Sequence, residues 1–513
     1  MNKMLEFDEY KNKVRACWLG KNIGGTLGAP FECTRGVYDL DYYTHDLKQG
    51  VLPNDDLDLQ LVWLNAAEKC GKALTAETLG EYWVTYVVAD WSEYGAGKNN
   101  LRFGLQPPVS GVYNNHNKNS CGCFIRSEIW ACLAPGQPDI AVKYAREDAI
   151  CDHAEEGLYA ELFCAALQSA AFVEGDMNKL VEIGLRYIPK DCAIAGVVRL
   201  VFDLYKSGKT WKEARKEVLK KFPGTFGMYR GYINQPAEPD VPMGDEGYDV
   251  PSNIGIMMIG WLYGEGDFSK SICIAAGCCE DADCSAGTLA ATLGIINGTS
   301  CIDEKWLEPI GDEIKTISVD QTKGDPMRFV VPNTVSELTD RVVKLMPTFM
   351  NGHFEFIDGK ICIDAEGGLE EKKVKKGLFK YVNLCDEFCS SPYSISRENF
   401  LLKIGVEAVD GISVKNDKKK MFKLHIENKI RQQLWITVKC HMPADWTAQP
   451  GKEFSICLDQ VHGGTALCEK TFSVVPEALE KAKYNITFEV TANGHPSVLY
   501  IPVTLVNDVF SEE

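Results

Sequence analysis

The sequence predicts a multidomain chain in which an all-α helical domain is followed by an all-β sandwich of the immunoglobulin-like type. Two patterns carry this prediction: apolar and small residues recur at helical spacing as far as Pro347, and short alternating runs follow it. A chain of 513 residues is also too long for one small hydrophobic core. We therefore expect a helical domain over residues 1–347, a hairpin and connector over 348–398, and a β-sandwich over 399–513.

The helical part begins with a predicted helix and a glycine-rich turn over residues 9–32. Gly24, Gly25 and Gly28 resemble a phosphate-binding loop only superficially, because no strand precedes them and no Lys-Ser/Thr pair follows. Close approach of two helices explains these glycines better. The further predicted helices include residues 138–150, 154–173, 177–187, 192–207 and 211–221.

The β part begins with an alternating run over residues 354–363, which predicts a hairpin with an Asp-Gly turn at 358–359. Seven short alternating runs follow, over residues 400–409, 419–428, 433–442, 452–459, 466–475, 483–492 and 497–506. Seven strands at this spacing favour an antiparallel immunoglobulin-like sandwich. The runs contain no cluster of catalytic residue types, so we expect a packing or binding module.

The composition excludes several classes of protein. With 54 Lys and Arg against 72 Asp and Glu, the net charge of −18 argues against a nucleic-acid binder with a general basic surface. No apolar stretch is long enough to span a bilayer, and the first eight residues lack the apolar core of a signal peptide. The 20 cysteines are scattered, without paired CxxC sets, which favours reduced thiols in a cytoplasmic protein.

Two acidic segments organise the helical part. The first acidic segment, residues 53–58, reads Pro-Asn-Asp-Asp-Leu-Asp, and the second acidic segment, residues 280–285, reads Glu-Asp-Ala-Asp-Cys-Ser. Each alone is explained by a helix start, where Asn, Asp and Ser cap backbone N–H groups and the helix dipole favours negative charge. Brought together, the two segments would repel unless a cation lies between them. Hard divalent cations bind such oxygen ligands, so we expect one or two Mg²⁺ ions, with Ca²⁺ or Mn²⁺ as alternatives.

Four further residues are candidate substrate contacts. Tyr113 and Asn114 lie in a segment rich in Gly, Pro, Ser and Asn, whose amides and aromatic ring suit a sugar or a base, although a plain connector has the same composition. Arg126 follows a Ser-Cys-Gly-Cys segment that leads into helical sequence. His153 stands at the head of a predicted helix, a position where a histidine is more often structural than catalytic.

These motifs resemble the ADP-ribosylglycohydrolase family. The resemblance rests on Arg-Ala-Cys-Trp-Leu-Gly at 15–20, Gly-Ala-Pro-Phe-Glu at 28–32, Asn-Asp-Asp at 54–56 and Asp-Ala-Asp at 281–283. It covers about the first two-thirds of the chain, in the family's order and spacing. It implies an all-helical domain that binds two divalent ions, usually Mg²⁺, and hydrolyses the glycosidic bond at the ribose C1″.

The resemblance also implies residue roles. The expected metal ligands are oxygen-bearing residues of the two acidic segments: Asn54, Asp55, Asp56, Asp281, Asp283 and Ser285. Cys284 stands where the family has a threonine, and a thiol is a poor ligand for a hard ion. We therefore expect either that one metal site is weaker or that Ser285 or water completes it. Glu32 and Asp56 are the implied catalytic residues, with Glu32 as base or as stabiliser of an oxocarbenium-like transition state.

The predicted function is therefore a divalent-metal-dependent hydrolase of an ADP-ribosyl or related ribosyl bond in a small-molecule or glycosylated substrate. One alternative keeps the metal hydrolase but changes the substrate to a carbohydrate or nucleoside furanoside, because β-sandwich modules often accompany carbohydrate-active enzymes. A second alternative, prompted by Asn54 and Cys284 at positions where the family has hydroxyl ligands, is a non-catalytic protein that binds ADP-ribose or a sugar. We expect no nucleic-acid or membrane partner, and the sequence leaves the oligomeric state open.

Overall fold

The computed structural model describes residues 4–225, 238, 240–319, 330–350, 352–357, 360–365, 368–370, 395–430, 432–460 and 466–508. The chain divides into two compact units. The first unit comprises Met1–Thr75, Thr85–Ala96 and Asn114–Lys380, and the second comprises Ala76–Val84, Gly97–Tyr113 and Tyr381–Glu513. The second unit thus combines the C-terminal strands with two segments of the helical part. The domain boundaries at residues 347 and 399 stay predictions.

From Phe7 to Met350, the regular elements of the described chain are helices. Its α-helices are α1 (Phe7–Gly28), α2 (Asp55–Cys70), α3 (Ala76–Tyr86), α4 (Ser92–Arg102), α5 (Val109–Val112), α6 (Glu128–Leu133), α7 (Pro138–Ala149), α8 (Glu155–Ala171), α9 (Met177–Arg186), α10 (Ala193–Lys206), α11 (Trp211–Lys221), α12 (Val250–Gly264), α13 (Phe268–Gly277), α14 (Ala282–Asn297), α15 (Glu304–Leu307) and α16 (Val335–Met350). The five predicted helices over residues 138–221 are α7 to α11, each within a few residues of its expected ends. None of the helices in the described ranges is both long and apolar enough to cross a membrane.

The strands of the described residues lie at the N-terminus and beyond α16. They are β1 (Met4–Glu6), β2 (Phe354–Ile357), β3 (Lys360–Asp364), β4 (Ile395–Glu398), β5 (Leu402–Ala408), β6 (Ser413–Val414), β7 (Lys420–Asn428), β8 (Leu434–His441), β9 (Thr447–Gln449), β10 (Glu453–Leu458), β11 (Ala466–Val475), β12 (Lys483–Ala492) and β13 (Val498–Asn507). The seven predicted strands are present as β5, β7, β8 and β10 to β13. A helical region followed by a β-rich region is therefore confirmed, while the immunoglobulin-like type stays a prediction.

Three sheets are formed by these strands. In the first unit, β1 pairs antiparallel with β3, and β3 pairs antiparallel with β2, in the order β1-β3-β2. In the second unit, two five-stranded sheets have the orders β10-β8-β12-β13-β6 and β4-β5-β7-β11-β9. Alternate residues of β7 and β8 are buried, and the rings of Phe422, Phe472 and Phe488 meet in the core with centroids 5.0–6.3 Å apart. The predicted Asp-Gly turn at 358–359 and the connector over 371–394 lie outside the described residues.

The backbones of α1 and α14 approach each other unusually closely. A Cβ atom added at Gly20, Gly24 or Gly28 of α1 would lie closer than 3.0 Å to backbone atoms of Ala290, Ala286 and Ala282, respectively. The residue numbers of the α14 partners decrease as those of the α1 glycines increase, so the two helices run antiparallel. The expected glycine-rich turn is therefore wrong, because the glycines lie inside α1. The expected close approach of two helices is confirmed, because these glycines allow α1 and α14 to come together.

This contact fixes the position of both acidic segments. The C-terminal end of α1, which leads to Glu32, lies against the N-terminal end of α14, where the second acidic segment ends. The start of α2 is equally close, since a Cβ at Gly25 would meet the Asn54 side chain. Three chain segments distant in sequence therefore meet at one end of the α1–α14 pair.

We predict that Gly24→Ala destabilises the helical unit by about 1–3 kcal/mol, because the added methyl group forces the two backbones apart. The higher helix propensity of alanine recovers at most about 1 kcal/mol of this loss. Urea unfolding followed by helical circular dichroism measures the change. Gly175→Ala is the matched control, since its Cβ would have Ile296 as nearest neighbour at 4.0 Å. Equal stability of both variants would contradict the close contact.

Candidate functional site

A cavity of about 530 Å³ opens in the first unit where the two acidic segments meet. Five carboxylates line it: Glu32, Asp55, Glu93, Asp281 and Asp283. The rest of the lining is apolar or uncharged and includes aromatic side chains at the start of α4 and the loop around Cys121. The convergence predicted from sequence for the two acidic segments is thus present in the fold.

The first acidic segment forms the start of α2, and its carboxylates contact different parts of the protein. Asn54 caps the helix, since its Oδ1 accepts a hydrogen bond of 2.7 Å from the backbone N–H of Asp56. The Asp55 Oδ2 accepts a 3.0 Å hydrogen bond from the Tyr94 hydroxyl. Asp58 points away, because its Oδ2 accepts three bonds from the main chain and side chain of residues 317–318. Asp55 and Asp56 are therefore the carboxylates of this segment that remain for the site.

The second acidic segment is held in place by a buried ion pair. The Arg35 guanidinium donates to both oxygens of Glu280, at 2.6 and 2.9 Å, and both side chains are buried. The backbones of Thr34 and Glu280 also pair as an antiparallel bridge. The backbone of Glu280 has a φ of +64°, a strained value for a residue with a side chain. The chain that follows Glu32 thereby fixes the turn that presents Asp281 and Asp283.

The carboxylate oxygens are close enough to share a cation. Ligand atoms of Glu32, Asp281 and Asp283 all lie within 4.8 Å of one another. A second group with the same limit is formed by Asp56, Asp283 and Cys284. The Oδ1 atoms of Asp281 and Asp283 are buried and accept no hydrogen bond from any described residue. Buried carboxylate oxygens without a donor are costly unless a cation binds them, so the residues fit a divalent metal.

The pKa values of the site carboxylates also favour a bound cation. Burial, with the neighbouring Asp56 carboxylate, raises the pKa of Glu32 to about 7. Burial and the adjacent carboxylates also raise the pKa of Asp281 and Asp283 well above their usual range. Each carboxylate therefore resists ionisation in the presence of the others. A bound divalent cation would reverse this balance and favour the ionised forms.

Lys21 supplies positive charge beneath the site and escaped prediction from the sequence. Its Nζ lies 3.4 Å from Asp56 Oδ2 and 3.2 Å from Glu128 Oε1, and all three side chains are buried. The Cys284 thiol donates to Asp56 Oδ1 at 3.2 Å. Asp56 is thus the best compensated carboxylate of the site. The sequence offered one indication of this role. Lys21 lies between Gly20 and Gly24, so it is close to the face of α1 that is buried against α14.

Two predicted substrate contacts lie inside the protein and do not line the cavity. The Arg126 guanidinium is fully buried and binds Asp148 at 2.7 Å and also Asp152. His153 is buried, with its Nδ1 2.9 Å from Asp152 Oδ1. A buried guanidinium needs such carboxylate partners, and they hold it away from the cavity.

The other predicted contacts are also not part of the cavity lining. Tyr113 is 54% exposed, and its carbonyl accepts a hydrogen bond from Asn100. Asn114 is exposed and has a φ of +46°, which is typical of a turn. Ser285, which was predicted as a metal ligand, does not line the cavity either, and its hydroxyl lies 3.4 Å from the carbonyl and from the side-chain oxygen of Asn253. Asn253 also accepts the backbone N–H of Asp281 at 3.1 Å, so this pair positions the second acidic segment.

One comparison with known proteins identifies a family. The family model described as ADP-ribosylglycohydrolase matches residues 7–342, which include both acidic segments and Glu32. Among solved structures, the FixG-related protein from Vibrio parahaemolyticus is similar over 21% of this chain and 97% of that chain, with 13% identity and a TM-score of 0.17. No curated protein matches the chain.

We predict that Arg35→Met lowers the free energy of unfolding by about 3–5 kcal/mol, because it leaves the Glu280 carboxylate buried without its main partner. Arg341→Met is the matched control. Arg341 also binds both oxygens of a glutamate, Glu68, but that pair is partly exposed and should contribute at most about 1 kcal/mol. Denaturant titration of both variants gives the comparison. Similar losses in both would contradict a supporting role for the buried pair.

Proposed function

Because the chain belongs to the ADP-ribosylglycohydrolase family, we propose that it is a divalent-metal-dependent hydrolase that cleaves the glycosidic bond of an ADP-ribosyl or related ribosyl substrate. The observation that carries the proposal is the meeting of Glu32 with Asp281 and Asp283 at one cavity, within 4.8 Å of one another. Carboxylates bind divalent cations, and paired carboxylates catalyse glycoside hydrolysis, so a cavity rich in carboxylates suits both.

The proposed metal ligands are Asp55, Asp56, Asp281 and Asp283, and Mg²⁺ is the proposed ion because its ligands are oxygen atoms. A bound divalent ion polarises substrate oxygens and lowers the pKa of a coordinated water. For Asn54, an expected metal ligand, we propose an orienting role. Its Oδ1 caps α2, and its Nδ2 donates to Asp283 Oδ2 at 3.3 Å, so the residue orients a ligand.

Glu32 is the proposed catalytic carboxylate. In the hydrolysis, the bond between the anomeric carbon and the leaving group breaks, and a water oxygen forms the new bond to that carbon. One proton of the water passes to a base, and the leaving group takes its electron pair. Glu32 lines the cavity beside the proposed ligand carboxylates, and we propose that it accepts this proton or stabilises positive charge on the sugar ring.

We expect Asp283→Asn to abolish metal-dependent hydrolysis and to weaken Mg²⁺ or Mn²⁺ binding at least about tenfold, because one anionic ligand is lost. Calorimetric metal titration and hydrolysis assays with and without EDTA measure both effects. Asp46→Asn, at an exposed carboxylate outside the cavity, should change neither. Full activity and unchanged metal affinity in Asp283→Asn would refute the proposed metal site.

Glu32→Gln should lower kcat by about 10²–10⁴-fold, the usual contribution of a positioned acid or base, and should change KM much less. The substrate for this test is the most rapidly hydrolysed member of a panel of ADP-ribosylated peptides and aryl ribofuranosides. Metal affinity, measured in parallel, reports whether the site remains assembled. A loss confined to KM would assign Glu32 to binding rather than to chemistry.

A further inference from the structure

Resting on the proposed function, whose metal site it divides in two, we propose that this site takes two cations of different chemistry. The mixed subsite, formed by Asp56, Asp283 and Cys284, takes a thiophilic divalent cation of the Zn²⁺ class. The oxygen subsite, formed by Glu32, Asp281 and Asp283, takes Mg²⁺. Three features support this division: the sulfur donor, the spacing of that sulfur from a carboxylate, and the carboxylate that the two subsites share.

The two subsites differ in the chemistry of one donor. The oxygen subsite contributes three carboxylates, which are the ligands that Mg²⁺ prefers. The mixed subsite contributes two carboxylates and the thiol of Cys284, whose sulfur lies within 4.8 Å of an oxygen of each. Thiolate sulfur is a soft ligand that binds Zn²⁺ well, whereas Mg²⁺ binds to oxygen. The same cation therefore does not suit both subsites.

The sulfur of Cys284 has the spacing of a metal ligand. It lies 3.2 Å from Asp56 Oδ1, to which the thiol donates a hydrogen bond. Zinc lies about 2.3 Å from sulfur and about 2.0–2.2 Å from oxygen, so that two such donors around a tetrahedral ion lie about 3.5 Å apart. The pair of Cys284 and Asp56 is therefore close to the spacing of two ligands of one ion. When the cation binds, the thiol proton passes to solvent and a metal–sulfur bond replaces the hydrogen bond.

The carboxylate of Asp283 belongs to both subsites, as expected where two ions lie side by side. Its Oδ2 accepts a hydrogen bond of 3.3 Å from Asn54 Nδ2. Its Oδ1 is buried and accepts no hydrogen bond from any residue of the described ranges. Burial of a carboxylate oxygen without a donor is costly unless a cation binds it. This oxygen therefore indicates a bound cation independently of the nearby thiol.

Two other thiols line the cavity but lie outside the mixed subsite. The Cys33 sulfur lies 4.0 Å from Glu32 Oε1, and the Cys121 sulfur accepts a hydrogen bond of 3.3 Å from Asn253 Nδ2. Among the described residues, neither thiol belongs to a group of three potential ligands as compact as the two subsites. Cys33 therefore provides a matched control, because it is a thiol of the same cavity without the same neighbours.

The test uses the full-length protein, freed of metal with EDTA and then saturated with Mg²⁺. Cd²⁺, a spectroscopic substitute for Zn²⁺, is added while the sulfur-to-cadmium absorption in the ultraviolet is recorded. We expect an absorption that is lost in Cys284→Ser and retained in Cys33→Ser. Calorimetry should show that Cys284→Ser binds Zn²⁺ at least about tenfold more weakly but binds Mg²⁺ as the wild type does. The unchanged Mg²⁺ affinity also reports that the variant is folded, and Cys284→Thr should behave in the same way.

Asp281→Asn tests whether the two subsites are separate, because Asp281 belongs to the oxygen subsite alone. This variant should bind Mg²⁺ at least about tenfold more weakly and should keep the absorption that depends on Cys284. An absorption that persists in Cys284→Ser would overturn the inference. Equal losses of Zn²⁺ and Mg²⁺ affinity in both Cys284→Ser and Asp281→Asn would also overturn it, because they would indicate one indivisible site.

Hydrolysis by the wild-type protein is scored separately from metal binding. If the metal measurements agree with expectation but no member of the panel of ribosyl substrates is hydrolysed, the proposed function fails while the division of the metal site stands. If a ribosyl substrate is hydrolysed with Mg²⁺ alone and Cys284→Ser keeps its Zn²⁺ affinity, the function stands and the inference fails.

Discussion

The site depends on one backbone-to-backbone contact, the antiparallel approach of α1 and α14. Glycines spaced four residues apart along α1 face alanines spaced four residues apart along α14, which allows the two main chains to touch. Side chains of ordinary size at these positions would move the helices apart by several ångströms. The end of α1 that leads to Glu32 and the start of α14 that carries Asp283 would then no longer share one cavity.

This packing concentrates negative charge in the interior, which opposes folding. The ion pair of Lys21 with Asp56 and that of Arg35 with Glu280 compensate part of the charge. The remaining carboxylates have raised pKa values and buried oxygens without donors. A cation that binds only the folded protein would stabilise it through mass action.

Much of this arrangement was open to prediction from the sequence. Helical and strand periodicities located five helices and seven strands, because burial on one face of an element leaves a regular pattern. The acidic segments were predictable since short carboxylates at two helix starts are local signals. The glycines within α1 were assigned to a turn, because glycine is a poor helix former in isolation and only the contact with α14 accounts for them.

Other features of the site could not be predicted, because they depend on the direction of side chains in the folded protein. Arg126 and His153 were expected at the substrate, but carboxylates more than twenty residues away from Arg126 hold its guanidinium in the interior. Lys21 and Tyr94 have no motif of their own. Their importance arises only from what the packing places beside them, which the order of residues does not encode locally.

The central claim is that the two acidic segments hold a common cation. The most direct test is the anomalous difference map of crystals grown with Mn²⁺. The account predicts a peak bound by Asp281 or Asp283 of the second segment and, at the same time, by Asp55 or Asp56 of the first. A peak bound by one segment alone, or no peak between them at saturating Mn²⁺, would contradict it.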